Sequence, residues 1–388
     1  MKIADAIRLT EDATRHGTFA GRAWRDGVGP CVVTLRKGRV IDITSRTLPT
    51  MRDLCEADEP AAAASAAEGT DLGGLADILA ATASPTLSPV RLLAPIDLQS
   101  IKAAGVTFAV SMLERVIEEK ARGNPALADG IRHDITRLIG DDLSKLVPGS
   151  DEAMALKHAL IAKGAWSQYL EVGIGPDAEI FTKSQVMSAV GFGADVGIHP
   201  VSHWNNPEPE CVLVVSSKGA IIGATLGNDV NLRDVEGRSA LLLGKAKDNN
   251  ASCALGPFIR LFDASYGLDD VNSMDVALEV QGLDGFHLTG GSSMSRISRP
   301  PLKLVAGTIG AHHQYPDGFV LFCGTVFAPT QDRDAPGSGF THKHGDVVSV
   351  SNPHVGALVN TVRSTDACPP WQFGVSHLMR NLAERGLL

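Results

Sequence analysis

Aromatic residues are scarce in this chain, 5% of positions, whereas glycine (40) and proline (21) are abundant. Such a composition favours many turns and short strands, a β-rich architecture with some helix. No stretch approaches the roughly 20 consecutive apolar residues of a membrane-spanning helix. No block of lysine and arginine forms a basic stripe, and a formal net charge of -9 argues against a nucleic-acid partner. Paired cysteines are missing as well. Cys31, Cys55, Cys211, Cys253, Cys323 and Cys368 occur singly, without a C-x-x-C, mostly inside apolar strings. They read as reduced, buried thiols, not as a disulfide framework or a zinc knuckle. The N-terminus meets Asp5 early and lacks a signal-peptide apolar stretch, so a cytoplasmic protein is expected.

What is present is a large hydrophobic complement. With 388 residues, 44% of them hydrophobic, the chain can fill a sizeable core as two domains or as one large domain with an appendage. From about Gly17 to Thr47 apolar and polar residues alternate, predicting a hairpin that turns at Lys37-Gly38 and a small N-terminal β-domain. The alanine-rich stretch Ala57 to Thr70 reads as a short helix or a connector. Ser84-Pro85 and Ser88-Pro89 place a boundary near residue 86, dividing the chain into 1–86 and 87–388. Between Ser111 and Lys163 the apolar spacing turns helical and predicts two or three helices, an insert that is either a lid or a packing element. Short β-type runs fill Leu170 to Val362, and Trp371 to Leu388 carries Phe373, Leu378, Leu382 and Leu387 at helical spacing.

Glu208 and Glu210 stand two residues apart where the apolar run Cys211 to Val215 begins. On a strand that spacing puts both carboxylates on one face, where they repel unless solvent or a cation relieves them. Downstream, the strand-like run from Ile221 ends in Asp229, a third oxygen donor. Three carboxylates without a nearby cysteine suit a hard ion such as Mg²⁺ over zinc. The Glu-x-Glu spacing is weakly specific, and a solvated strand edge produces it as well. Lys245 and Lys247 precede a polar turn; one of them facing the acidic site would stabilise a developing enolate, whereas a surface lysine is the ordinary alternative.

Taken together these pieces resemble the fumarylacetoacetate hydrolase superfamily over most of the chain beyond about residue 90. The resemblance lies in Leu92 to Ile96 followed by Ile101 to Phe108, similar to a strand leading into a helix with a catalytic glutamate. It continues in Phe181 to Ser184, similar to a loop before the metal strand, in Pro207 to Glu210, and in Asn228 to Val230 with Arg233-Asp234. Lys247, Gly324-Thr325, and Gly345 to Val348 with Gly356, Leu358, Asn360 and Val362 complete it in order. The resemblance implies a mixed β-rich α+β fold, a β-sheet rolled around an Mg²⁺ site, in which Glu208, Glu210 and Asp229 are the ligands. Mn²⁺ or Ca²⁺ are the implied substitutes, a homodimer the implied assembly, and 2-oxo acids the implied substrates.

One departure from the family pattern bears on the reaction. The family's carbon-carbon bond hydrolases place a histidine three residues before the catalytic glutamate; here Ser111 stands there, ahead of Glu114. Serine is no general base near neutral pH. The resemblance therefore turns toward the branch that dehydrates 2-keto-3-deoxy sugar acids. On that reading Glu114 removes a C3 proton from a 2-keto-3-deoxypentonate such as 2-keto-3-deoxy-D-arabinonate. Lys247 steadies the enolate oxygen, Gly324 and Thr325 receive the carboxylate, and Ser111 and Glu236 contact hydroxyls. The product would be 2-oxoglutarate semialdehyde, in a non-phosphorylative sugar pathway. Hydrolysis of an acylpyruvate or 2,4-diketo acid is the alternative reaction, and a non-catalytic oxo-acid-binding protein the alternative class. His199 and His203, His312-His313, and His342 with His344 lack the partners of a zinc set and read as loop or structural histidines. Gly290-Gly291-Ser292-Ser293 lacks a P-loop lysine and reads as a flexible turn.

Overall fold

The computed structural model describes residues 1–388 except 123, 125–126, 128–129, 132–145, 163, 165, 326, 328, 330 and 336–338, and at 109–111 the backbone alone. Its strands, in chain order, begin with β1 (Phe19–Arg25), β2 (Gly29–Arg36), β3 (Arg39–Asp42), β4 (Thr70–Gly74), β5 (Val90–Leu93) and β6 (Ser100–Gly105). They continue with β7 (Glu179–Ser184), β8 (Asp195–Ile198), β9 (Asn205–Asn206), β10 (Pro209–Val215), β11 (Ile221–Asp229), β12 (Asn231–Leu232) and β13 (Cys253–Leu261). The last are β14 (Asp275–Gln281), β15 (His287–Ser293), β16 (Phe319–Phe322), β17 (Val347–Asn352) and β18 (Gly356–Ser364).

Lys37 and Gly38 turn the hairpin between β2 and β3, both with positive φ (51° and 71°), the geometry that matches the twist of two-residue hairpins. These N-terminal strands do not close on themselves. Among the described residues they extend one 11-stranded sheet in the order β4-β3-β2-β1-β13-β11-β10-β16-β6-β7, with β5 also pairing β1. The position near residue 86 falls in the connection between the helix Leu75–Thr82 and β5. A second sheet, β15-β14-β17-β18-β8, packs across the first, and β9 and β12 form a two-stranded ribbon beside the site.

β10 explains how the layers are held. Every residue of it is buried, because the strand is covered on both faces: Cys211, Leu213 and Val215 join the core toward the second sheet, while Val212 and Val214 join a core on the opposite face with Ile101, Leu255 and Phe322. Glu208 and Glu210 share the parity of Val212 and Val214, so they continue that second face.

The alanine-rich stretch contains the helix Pro60–Ala66, and the C-terminal helix is Val375–Glu384, buried through Leu378 and Leu382. In the insert, the helices Ala109–Ala121 and Asp151–Ala162 are present; the apolar positions Ile135, Leu138 and Ile139 lie outside the described residues. Gly290 to Ser293 is no turn: it ends β15, paired residue for residue with β14. Phe181 to Ser184, expected as a loop, belongs to β7 and pairs with β6. All six cysteines are free and buried. Among the described residues no helix is long and apolar enough to cross a membrane.

Candidate metal centre and its surroundings

The register of β10 and β11 builds the acidic cluster. Pro209 pairs with Asn228 and Glu210 with Gly227, and the Asp229 N–H donates to the Glu208 carbonyl at 3.0 Å, which sets Glu208 opposite Asp229 with Glu210 two positions along. Gly227 leaves the needed room; a Cβ there would lie 2.3 Å from the Phe322 ring. Carboxylate oxygens of Glu208, Glu210 and Asp229 consequently lie within 4.8 Å of one another, and all three residues are buried. This is the one such group of potential metal ligands among the described residues.

Cations brought from distant elements surround the cluster. Lys247, last residue of the helix Leu243–Lys247, donates to Glu208 Oε2 at 2.5 Å and to Asp229 Oδ2 at 3.0 Å. Lys183, wholly buried on β7, lies 3.0 Å from Asp229 Oδ1 and donates to the carbonyls of Lys247 and Val230. Arg115, on the helix Ala109–Ala121, pairs with Glu208, with Glu118 at 2.7 Å and with Glu236 at 3.2 Å. The Gly324 N–H donates to Glu210 Oε2 at 2.6 Å, so it holds a carboxylate of the triad.

A cavity of about 30 Å³ lies here, lined among others by Arg115, Glu179, Glu208, Glu210, Asp229, Glu236, Lys247, Gly324 and Thr325. Space of that size admits an ion or a water. Glu114, expected inside it, lines instead an adjoining compartment with Arg115, Glu118, Asn206 and Arg233, where Arg233 approaches it at 3.7 Å. Ser111 starts the same helix; its side chain lies outside the described residues. Glu236 stands as a buried partner of Arg115. Lys245 is exposed, and His342 is buried against Asp346 at 3.3 Å and does not line the triad's cavity.

Glu179 was not anticipated. It opens β7 opposite Gly105, which has no side chain to obstruct it: a Cβ at Gly105 would fall 2.0 Å from Glu179 Oε2. Glu179, Phe181 and Lys183 share one strand face, so an alternating Glu-x-Phe-x-Lys run was the sequence signal for it.

Charge is out of balance in this region. The carboxyls of Glu114, Glu118, Glu179, Glu208, Glu210, Asp229 and Glu236 face the cations Arg115, Lys183, Arg233 and Lys247. Burial disfavours carboxylates, and nearby anions add to it. Burial, with Asp229 and Glu208 beside it, pushes the Glu210 carboxyl well above the usual range. Burial, with Glu236 nearby, raises Glu179 to about 7. Glu208 resists: burial would raise it, but Lys247 and Arg115 hold it down to about 2. Burial opposes the charge on Lys247 too, yet Asp229, Glu208 and Glu236 raise its pKa. Buried anionic excess of this kind is what a divalent cation offsets. The donor set fits one: three hard carboxylates within reach of a single point.

Comparison with known proteins agrees with this architecture. Residues 177–363 match the family described as fumarylacetoacetate (FAA) hydrolase, C-terminal. Over 185 residues the chain is 29% identical to the 2-dehydro-3-deoxy-D-arabinonate dehydratase of Saccharolobus solfataricus, covering 48% of this chain and 58% of that protein. Over 194 residues it is 27% identical to the probable 2-keto-3-deoxyxylonate dehydratase of Haloferax volcanii, covering 50% and 63%. The chain thus spans under two thirds of the length of these curated relatives. Among solved structures, the apo form of 2-keto-3-deoxy-D-arabinonate dehydratase has a TM-score of 0.62 at 20% identity, covering 89% of this chain and 99% of that one. Such a dehydratase complexed with magnesium and 2,5-dioxopentanoate scores 0.61 at 20% identity over the same shares. At that identity the likeness establishes the fold, a mixed α+β architecture of the fumarylacetoacetate hydrolase type.

Proposed function

We propose that this chain, a member of the fumarylacetoacetate hydrolase family through residues 177–363, is a magnesium-dependent dehydratase of a 2-keto-3-deoxypentonate, with residues 87–388 as its catalytic unit and 1–86 as an appended one. The observation that carries the reading is the buried carboxylate triad sharing one cavity with Lys247 and Glu179. The dehydratases among the relatives support the substrate class. Among the described residues neither the cavity nor its side compartment is lined by a histidine, which favours water loss over activation of a hydrolytic water.

Glu208, Glu210 and Asp229 would hold the ion, which when bound supplies Lewis-acid polarisation of a 2-oxo acid and so acidifies its C3 protons. The chain's own groups do the rest. Thr325 donates its hydroxyl to the substrate carboxylate. Lys247, kept protonated by its anionic neighbours, steadies negative charge growing on the C2 oxygen. Glu179 takes the C3 proton, because it lines the triad's own cavity and titrates near neutrality. It then returns that proton to the C4 hydroxyl, which departs as water and leaves a C3-C4 double bond conjugated with the C2 ketone. Loss of a C5 proton with protonation at C3 turns this into the C4-C5 enol, and protonation of that enol at C4 yields 2,5-dioxopentanoate. Glu114, across the shared wall, stands toward the hydroxyl-bearing end of the substrate.

The test is incubation of Mg²⁺-loaded protein with 2-keto-3-deoxy-D-arabinonate, and separately with an acylpyruvate, while following aldehyde formation and pyruvate release. Aldehyde from the first alone supports the reading; pyruvate from the second alone overturns it in favour of carbon-carbon bond hydrolysis. Glu179→Gln and Glu114→Gln then separate the two carboxyls: loss of roughly 10²- to 10⁴-fold in kcat belongs to the one that moves the proton.

A further inference from the structure

We propose, resting on the dehydratase reading above, that the compartment beside the metal cavity is the subsite for the terminal hydroxyl of the substrate, with Asn206 Oδ1 as its hydrogen-bond acceptor. The two spaces share Arg115, Glu208 and Thr325 as a common wall, so a substrate held by its carboxylate end at the triad extends its other end here. The compartment measures about 10 Å³, the room of one water-sized group.

Its charged lining is already engaged. Glu118 accepts from Arg115 and from Arg233, each at 2.7 Å, and Arg233 also donates to the Pro329 carbonyl at 3.1 Å. Asn206 differs. It is 2% exposed, and its Nδ2 donates to the Pro207 carbonyl at 2.9 Å, which fixes the amide's orientation. Among the described residues lining the compartment, Asn206 Oδ1 alone is a buried side-chain polar atom without a hydrogen-bond partner. A buried acceptor held in that way calls for a donor, and a hydroxyl of the size of the space supplies one.

Phe327 also lines the compartment. It lies so near β15 that a Cβ at Gly290 would fall 2.2 Å from its ring, so the glycine there lets the aromatic ring sit against the sheet. The unpartnered Asn206 acceptor selects a hydroxylated end over an acyl or aryl one.

A competition assay decides it. Mg²⁺-loaded protein receives 2-keto-3-deoxypentonate together with 4-hydroxy-2-oxopentanoate of matching C4 geometry, which differs only in lacking the C5 hydroxyl. The ratio of the two kcat/KM values does not depend on how much of a preparation is folded. The parent is expected to favour the pentonate by roughly 10- to 100-fold, Asn206→Ala to bring the ratio close to one, and Asn206→Asp, which retains an acceptor oxygen, to keep a preference. A parent that dehydrates both equally, or a ratio unchanged in Asn206→Ala, overturns the subsite and leaves the dehydratase standing. A parent that dehydrates neither overturns the dehydratase reading and the subsite with it. If Asn206→Ala yields no active protein, the parent's ratio together with that of Asn206→Asp decides.

Discussion

Lys247 lies between Glu208 and Asp229 in a region closed to solvent, so removing its charge leaves two buried carboxylates facing each other. Deleting one partner of a buried ion pair costs about 3–5 kcal/mol. Lys247→Met is therefore expected to lower the melting temperature of metal-free protein and to reduce kcat by roughly 10²- to 10³-fold with Mg²⁺ present, measured by calorimetry and by aldehyde formation. Glu179 makes a pH prediction. On the proposed mechanism Glu179 must be ionised to act, so kcat/KM should rise with pH as it ionises; burial places that midpoint at about 7, and a divalent ion in the cavity draws it lower. Glu179→Gln removes the rise. A separate acid limit belongs to stability. Burial would raise the Asp346 carboxyl, but Arg333, His342 and the Lys343 N–H hold it down to about 2, below its unfolded value. Its contribution is present above that unfolded value and is lost as pH falls toward about 2, so thermal melts of Asp346→Asn across that range should be flatter than those of the parent. That Glu208 and Glu210 share a strand face was legible in the sequence, because strand alternation is a local pattern; joining Asp229 to them came from the family resemblance, and the structure brings the three carboxylates together. Lys183 and Arg115 were not legible, since their partners Asp229 and Glu208 lie 46 and 93 positions away along the chain.

Elements show the same division. The helix Ala109–Ala121 was readable from Met112, Val116 and Ile117, all buried against neighbouring helices. What the periodicity could not reveal is that its polar face is buried too. Glu118, 1% exposed, bridges Arg115 and Arg233 and so ties the helix to the segment Arg233–Glu236 at the metal centre. Glu118→Gln should destabilise the fold by about 3 kcal/mol and speed hydrogen exchange within 112–121 more than in β10, because it weakens the buried pairs that tie this helix to the segment Arg233–Glu236. Gly290 to Ser293 was misread for a physical reason. Glycine and serine lower strand propensity, but here the neighbouring β14 supplies the pairing, and the missing side chain makes room for Phe327.

At the scale of the whole molecule, two sheets share a core, and strands distant in the chain lie side by side: β6 lies parallel to β16, and β1 beside β13. Such pairings join residues more than 200 positions apart, beyond any local pattern, whereas the succession of short strands and the flanking helices could be read directly. The acidic excess at the centre gives the assembled fold a stake in its ion. Binding to the folded state alone stabilises by about 2.7 kcal/mol at a hundredfold excess over Kd. Mg²⁺ should accordingly raise the melting temperature by several degrees, with Asp229→Asn abolishing the shift. The most direct test of the central claim is a titration of metal-stripped protein with Mg²⁺ in the presence of 2-keto-3-deoxy-D-arabinonate, reading 2,5-dioxopentanoate. Aldehyde that appears only as the ion is added, and that Glu208→Gln and Asp229→Asn fail to form, is the predicted result; turnover that ignores both the ion and those substitutions would contradict it.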